Sequence, residues 1–198
     1  MEAFESVRTV LAVRKYAQGV VPPETTRRIL EAGRLTGSSM NRQPWHFVLV
    51  DSRETLRDLG RLAPTGPYIA QGGMAIAVAI DKNEYAVYDA SRAIQSMILA
   101  AWSDGIASNW VGFFGLEEAK ALLGIPEHMN LFAIIAFGYA AVLAMQGKKN
   151  RRALSEVAHY GRFGNPFNTY YSGEDSYCPP NNSMEPTRPA RVSHFMRY

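Results

Sequence analysis

Within one short stretch, Ser38-Ser39-Met40-Asn41-Arg42-Gln43-Pro44-Trp45, two hydroxyls, two carboxamides and a guanidinium stand side by side. A core has no use for so many donors and acceptors, because each buried polar atom needs a partner. The edge of a flat heterocycle rich in oxygen and nitrogen would use them. A solvated turn explains the same residues, and on composition alone it is the better reading. A second group is Lys149-Asn150-Arg151, flanked by Lys148 and Arg152. Alternate cations in extended backbone point the same way, which suits a phosphate dianion, while a charged turn in water is the competing account. Arg14 is a third, isolated cation. In Asn109-Trp110-Val111-Gly112, the glycine after an apolar strand allows a backbone N–H to approach a ligand closely, although a bulge would look the same.

Other chemistries lack their residues. No glycine-rich phosphate loop runs into Lys-Ser or Lys-Thr, and no dinucleotide fingerprint opens a helix. His46, His128, His159 and His194 are scattered, with no pair at helical spacing, so no metal site is expected. No serine sits in a nucleophile elbow, and Cys178 lies in a proline-rich tail. The sequence therefore offers no catalytic side chain of its own. A single cysteine among 198 residues fits a reducing compartment. The net charge of +3 carries no long basic run, so nucleic acid is not an expected partner. No apolar run reaches the roughly 20 residues of a membrane span, and the N-terminal residues do not form a signal-peptide pattern. A cytoplasmic protein is the expectation.

The elements that must position these residues are legible by period. Phe4, Val7, Val10 and Leu11 predict a helix over 2–13. Pro22-Pro23-Glu24 opens a second, which frays at Gly33. Phe47 to Val50 is a short buried strand, and Ser52 caps a helix carrying Leu56, Leu59 and Leu62. Met74 to Ile80 is apolar without alternation, as in a strand covered on both faces. A long helix over about 87–103 follows, with Gly105 as its stop. A short helix over 116–123 and a strand over 131–139 complete the set. Long helices among short strands predict an α+β fold, a three-layer α/β/α sandwich around one central sheet. With 47% apolar residues, one core is expected, over 1–167. From 168 to 198 the Pro/Asn-rich tail is expected to be an arm or disordered, with Phe167, Tyr170 and Tyr171 near its start.

Taken in order, these segments resemble the FMN-dependent nitroreductase family. The landmarks are Ala12-Val13-Arg14-Lys15-Tyr16, then Val21-Pro22-Pro23-Glu24, then Ser38 to Trp45 with His46-Phe47. Asp89-Ala90-Ser91-Arg92-Ala93 with Gln95, Trp110-Val111-Gly112, Leu123-Gly124-Ile125-Pro126 and Phe137-Gly138-Tyr139 follow, closing on Lys149 to Val157. Each motif is weak alone; their order is specific. The resemblance implies a mainly antiparallel sheet and a homodimer with two FMN sites, each lined by both subunits. It places Arg14 against the flavin or its phosphate, and Ser38, Ser39, Met40 and Asn41 in the site, the loop coming from the other subunit. It brings the Val111 and Gly112 backbone near the redox nitrogen, Gln95 near the ring, and Lys149 and Arg151 to the phosphate. The helix over 87–103 becomes a main dimer element.

The implied activity is hydride transfer from NAD(P)H through FMN to a small planar acceptor of nitroaromatic or quinone type, by a ping-pong mechanism. Because the cofactor carries the chemistry, orientation and charge placement are what the protein supplies. Trp110, Phe113 and Phe114 either shape the substrate slot or serve as plain core aromatics. A non-catalytic FMN store, or a specialised dehalogenating, flavin-degrading or deazaflavin-dependent member, is the alternative. One departure stands out. Where the family carries an arginine and a serine for the phosphate, this chain has Val10 and Ala12, which leaves Arg8 or Arg152 to supply the charge.

Overall fold

Strand β2, Met74–Asp81, is buried along its whole length except at its last residue. Its side chains alternate in size rather than polarity: Met74, Ile76, Val78 and Ile80 enter one core, Ala75 and Ala77 the other. That is how an uninterrupted apolar run serves a sheet covered on both faces. The computed structural model describes residues 1–112, 115–141 and 149–167. The tail over 168–198, Phe113, Phe114 and Lys148 lie outside them, and with the tail go Tyr170, Tyr171, Cys178 and His194.

Two compact units divide the chain, Met1–Lys149 and Asn150–Tyr198. The first holds a four-stranded sheet of order β1-β2-β4-β3, made of Trp45–Val50, Met74–Asp81, Met129–Gly138 and Ala107–Val111 (β1, β2, β4 and β3). Every neighbouring pair is antiparallel. One face packs under α2, Pro23–Arg34, and α4, Ala86–Ser103; the other packs under α3, Arg53–Leu62, and α5, Glu117–Leu122. The result is the three-layer α/β/α arrangement expected.

Helix α4 earns its central place by spacing. Ala86, Ala90, Ala93, Ile94, Met97 and Ala101 fall on one stripe and are buried. Gly33 of α2 is not a frayed end but a contact surface. A Cβ there would lie 3.0 Å from Met97 and Phe47 side-chain atoms. Ser52 caps α3 by accepting from the Thr55 N–H.

The N-terminal helix α1 is shorter than its periodicity suggests, Ala3–Thr9 rather than 2–13. Val10 turns extended, Ala12 bridges Ser108 in parallel, and Val13 N donates to the Ser108 carbonyl at 2.9 Å. Edge pairing with β3 outbids local helical period. Within the second unit, α6, Leu154–Val157, precedes a tight turn in which His159 bridges Pro166 and the His159 and Phe163 rings lie 4.4 Å apart.

Candidate functional site

A cleft of about 260 Å³ opens where the extended Val10-Leu11-Ala12 segment, α4 and β3 meet. Gln95 and Ile98 line it from α4; Ser108, Asn109 and Trp110 line it from β3. The walls are mostly apolar, and the polar side chains are the Gln95 and Asn109 carboxamides and the Ser108 hydroxyl. Asn109 is buried, and its Nδ2 donates to Tyr68 Oη at 2.5 Å. Trp110 meets Phe132 edge to face, with ring centroids 5.4 Å apart. Among the aromatics expected to shape a slot, Trp110 thus serves cleft and core together.

The sequence-derived residues divide into groups. The cleft brings Gln95 together with the strand that runs into Val111 and Gly112. Val111 itself is buried in the core, and neither it nor Gly112 is among the residues lining the cleft. Gly112 is explained without a ligand: a Cβ there would lie 2.8 Å from the Phe132 carbonyl oxygen and 2.7 Å from Trp110 Nε1. Arg14 is exposed, and no hydrogen bond or ion pair holds its guanidinium among the described residues. Its charge still reaches Tyr16, although burial outweighs it and drives the Tyr16 phenol above its ordinary range.

Lys149 donates from Nζ to the Val7 carbonyl at 2.5 Å, close in sequence to Val10. Arg151 belongs to the second unit, where its guanidinium donates to the Asn150 carbonyl at 3.1 Å. Arg8 is already engaged. It forks onto Glu5, which holds that carboxyl below its ordinary range. With α1 ending at Thr9, Arg8 is also not one helical turn before Ala12.

The Ser38–Asn41 loop is not among the residues lining this cleft. It is anchored on the same helix instead. Ser39 N donates to both oxygens of Asp89, at 3.1 and 3.0 Å. Gln95 lies six positions beyond Asp89 on α4, about 9 Å along the axis at roughly 1.5 Å per residue. Met40, Asn41 and Gln43 all hold left-handed backbone, with φ of 52°, 55° and 49°. Sequence reasoning missed the Asp89 anchor and the Tyr68–Asn109 pair. An acidic residue in a helix's first turn reads simply as a dipole partner, and nothing local ties Tyr68 to Asn109.

The fold and this site define a class. The nitroreductase family model matches residues 8–72 and 64–139, and the chain belongs to that family. A protein of Methanothermobacter thermautotrophicus named "Putative NADH dehydrogenase/NAD(P)H nitroreductase" is 34% identical over 150 residues, 71% of this chain and 78% of that protein. A crystal structure from Bacteroides thetaiotaomicron with the same descriptive name superposes with a TM-score of 0.75 at 26% identity, covering 81% of this chain and 98% of that one. An FMN-dependent nitroreductase of Clostridium difficile gives 0.71 at 24% identity, over 81% of this chain and 99% of that one.

Proposed function

We propose that the chain is an NAD(P)H-dependent oxidoreductase that carries FMN and passes electrons to a small planar acceptor. The observation that carries this reading is the cleft itself. Two carboxamides, Gln95 and Asn109, stand among the apolar side chains of Leu11, Ile98 and Trp110. A tricyclic ring with apolar faces and polar edges matches such a donor set. At the phosphorylated end, Val10 and Ala12 offer no side-chain donor, and Lys149, held on the Val7 carbonyl, is the candidate cation. The residues fit the group, more weakly at its phosphate than at its ring.

When bound, FMN supplies a two-electron carrier between nicotinamide and acceptor. The protein's own work is orientation and electrostatics. Gln95 and Asn109 would hold the ring by its polar atoms, while Leu11, Ile98 and Trp110 would exclude water around it. Arg14 and the Val111–Gly112 backbone would supply positive charge and an N–H donor to the reduced ring. Lys149 would hold the phosphate. No described side chain is required as acid or base.

The second wall comes from a second copy of the chain. A cleft of about 260 Å³ falls below the range of roughly 300–1,000 Å³ for complete small-molecule sites. Leu35, Met40 and Tyr88 are 67%, 81% and 70% exposed around the Ser38–Asn41 loop, an apolar surface suited to burial against a partner subunit. In this arrangement Ser38, Ser39, Met40 and Asn41 complete the site across the dimer.

The acceptor is of nitroaromatic or quinone type and uses the slot the nicotinamide has left. Initial rates with NADPH or NADH against menadione and a nitrofuran test this. Parallel double-reciprocal lines are expected for ping-pong turnover. Intersecting lines would refute the shared slot, and no nicotinamide oxidation by FMN-loaded protein would refute the enzyme.

A further inference from the structure

We propose that Asp89 is a positioning residue of the cofactor site: its buried carboxylate holds the strained Ser38–Gln43 loop in the conformation that presents Ser39 and Asn41 to the ring. The inference rests on the FMN reading above.

The first ground is strain. Three non-glycine residues hold left-handed backbone within four positions, Met40, Asn41 and Gln43, a conformation that L side chains adopt at an energetic cost. Such a segment relaxes unless its surroundings hold it. Two contacts do so. Ser39 N lies within hydrogen-bond distance of both Asp89 oxygens, and Ser38 Oγ accepts from Gln43 N at 2.9 Å. One contact pins the loop's start to α4, and the other closes the loop on itself.

The second ground is the placement of the charge. Asp89 neighbours a stripe of α4 that is otherwise alanine, isoleucine and methionine, and its side chain is only 4% exposed. Burying a carboxylate is unfavourable unless it is paired and hydrogen-bonded. Arg92 supplies the counter-charge one turn on, and the Ser39 N–H supplies the directed donor. Packing alone would be served by another alanine, like Ala90 and Ala93. The carboxylate is accounted for by the loop. Because Gln95 rides on the same helix, the rotation of α4 sets the cleft wall and the loop together.

The test separates positioning from simple stability by attacking the clamp from both ends. Asp89→Asn removes the charge in nearly the same shape. Ser39→Pro removes the donor: Ser38 is extended, with φ −128° and ψ 158°, as a residue before proline prefers, and proline suits a first helical position. Ser39→Ala, which keeps the N–H, is its matched control. Each apo protein is titrated with FMN by quenching of flavin fluorescence. The visible circular dichroism of the bound flavin and the thermal midpoint of the apo protein are recorded alongside.

Asp89→Asn is expected to weaken FMN binding at least tenfold and to alter the flavin dichroism. Ser39→Pro is expected to bind at least tenfold more weakly than Ser39→Ala, and the Asp89→Asn/Ser39→Pro double variant no more weakly than the worse single one. FMN dissociation constants within twofold of the controls, even with lowered thermal midpoints, would overturn the proposal. Should the unaltered protein fail to take up FMN, the cofactor reading fails first and takes this proposal with it.

Discussion

Tyr68 and Asn109 form a directed pair beneath the cleft: Asn109 Nδ2 donates to Tyr68 Oη, whose one proton goes to the Trp110 carbonyl at 3.3 Å. That carbonyl can only accept, so the hydroxyl must accept from the amide. The amide orientation of Asn109 is thereby fixed, with its oxygen away from Tyr68. Tyr68→Phe leaves the buried amide N–H without this acceptor. A loss of about 1–3 kcal/mol is expected for an unsatisfied buried donor, read from urea unfolding midpoints. FMN affinity should fall with it, because the carboxamide is then free to turn.

Gly112 is required by the chain itself. The β-bulge at Val78/Ala79 leaves Phe132 as an extra residue of β4 between Leu131 and Ala133, and its carbonyl lies where a Gly112 side chain would be. Gly112→Ala should cost about 1–3 kcal/mol through overpacking against backbone. Amide hydrogen exchange at Val111 should quicken in the variant, and unchanged exchange would show that the strands absorb the methyl group.

Alkaline stability has a named source in Tyr16. Burial is the main cause of its raised pKa, and its hydroxyl donates to the Ala136 carbonyl at 3.2 Å. A folded-state pKa above the unfolded value of 10.0 means the unfolded chain loses its proton first. The contribution is therefore full below pH 10 and declines as pH rises above it. Unfolding midpoints across that range should fall for the natural chain. Tyr16→Phe should be less stable at neutral pH and show a shallower alkaline decline.

The apolar Val10 and Ala12 make a graded prediction about the phosphate. Val10→Arg with Ala12→Ser should tighten FMN while leaving riboflavin affinity unchanged, since only FMN has a phosphate to receive the new donors. Lys149→Ala should weaken FMN by about 1.5–3 kcal/mol, the range for hydrogen bonds to charged groups. Equal effects on riboflavin and FMN in parallel titrations would place these residues elsewhere.

Much of this was legible from residue types. The all-apolar run of β2 announced a doubly covered strand, and the stripe of α4 announced its buried face. Val10 to Val13 was misread because its apolar spacing continues a helix, whereas Val13 and Ala12 answer to Ser108, far along the chain. Asp89 was visible as part of a motif, but its role depends on Ser39, 50 residues earlier. Tyr68 and Asn109 lie 41 residues apart with no periodic relation. Short-range pattern reveals which face is buried; it carries no information about which distant polar groups will meet.

The central claim is that two copies of this chain enclose flavin. Size-exclusion chromatography with light scattering, after incubation with FMN, measures it directly while recording protein and visible flavin absorbance together. The account predicts one species at twice the chain mass, carrying one flavin per chain, whose visible band bleaches when NADH or NADPH is added without oxygen. A single-chain mass with no co-eluting flavin would contradict it.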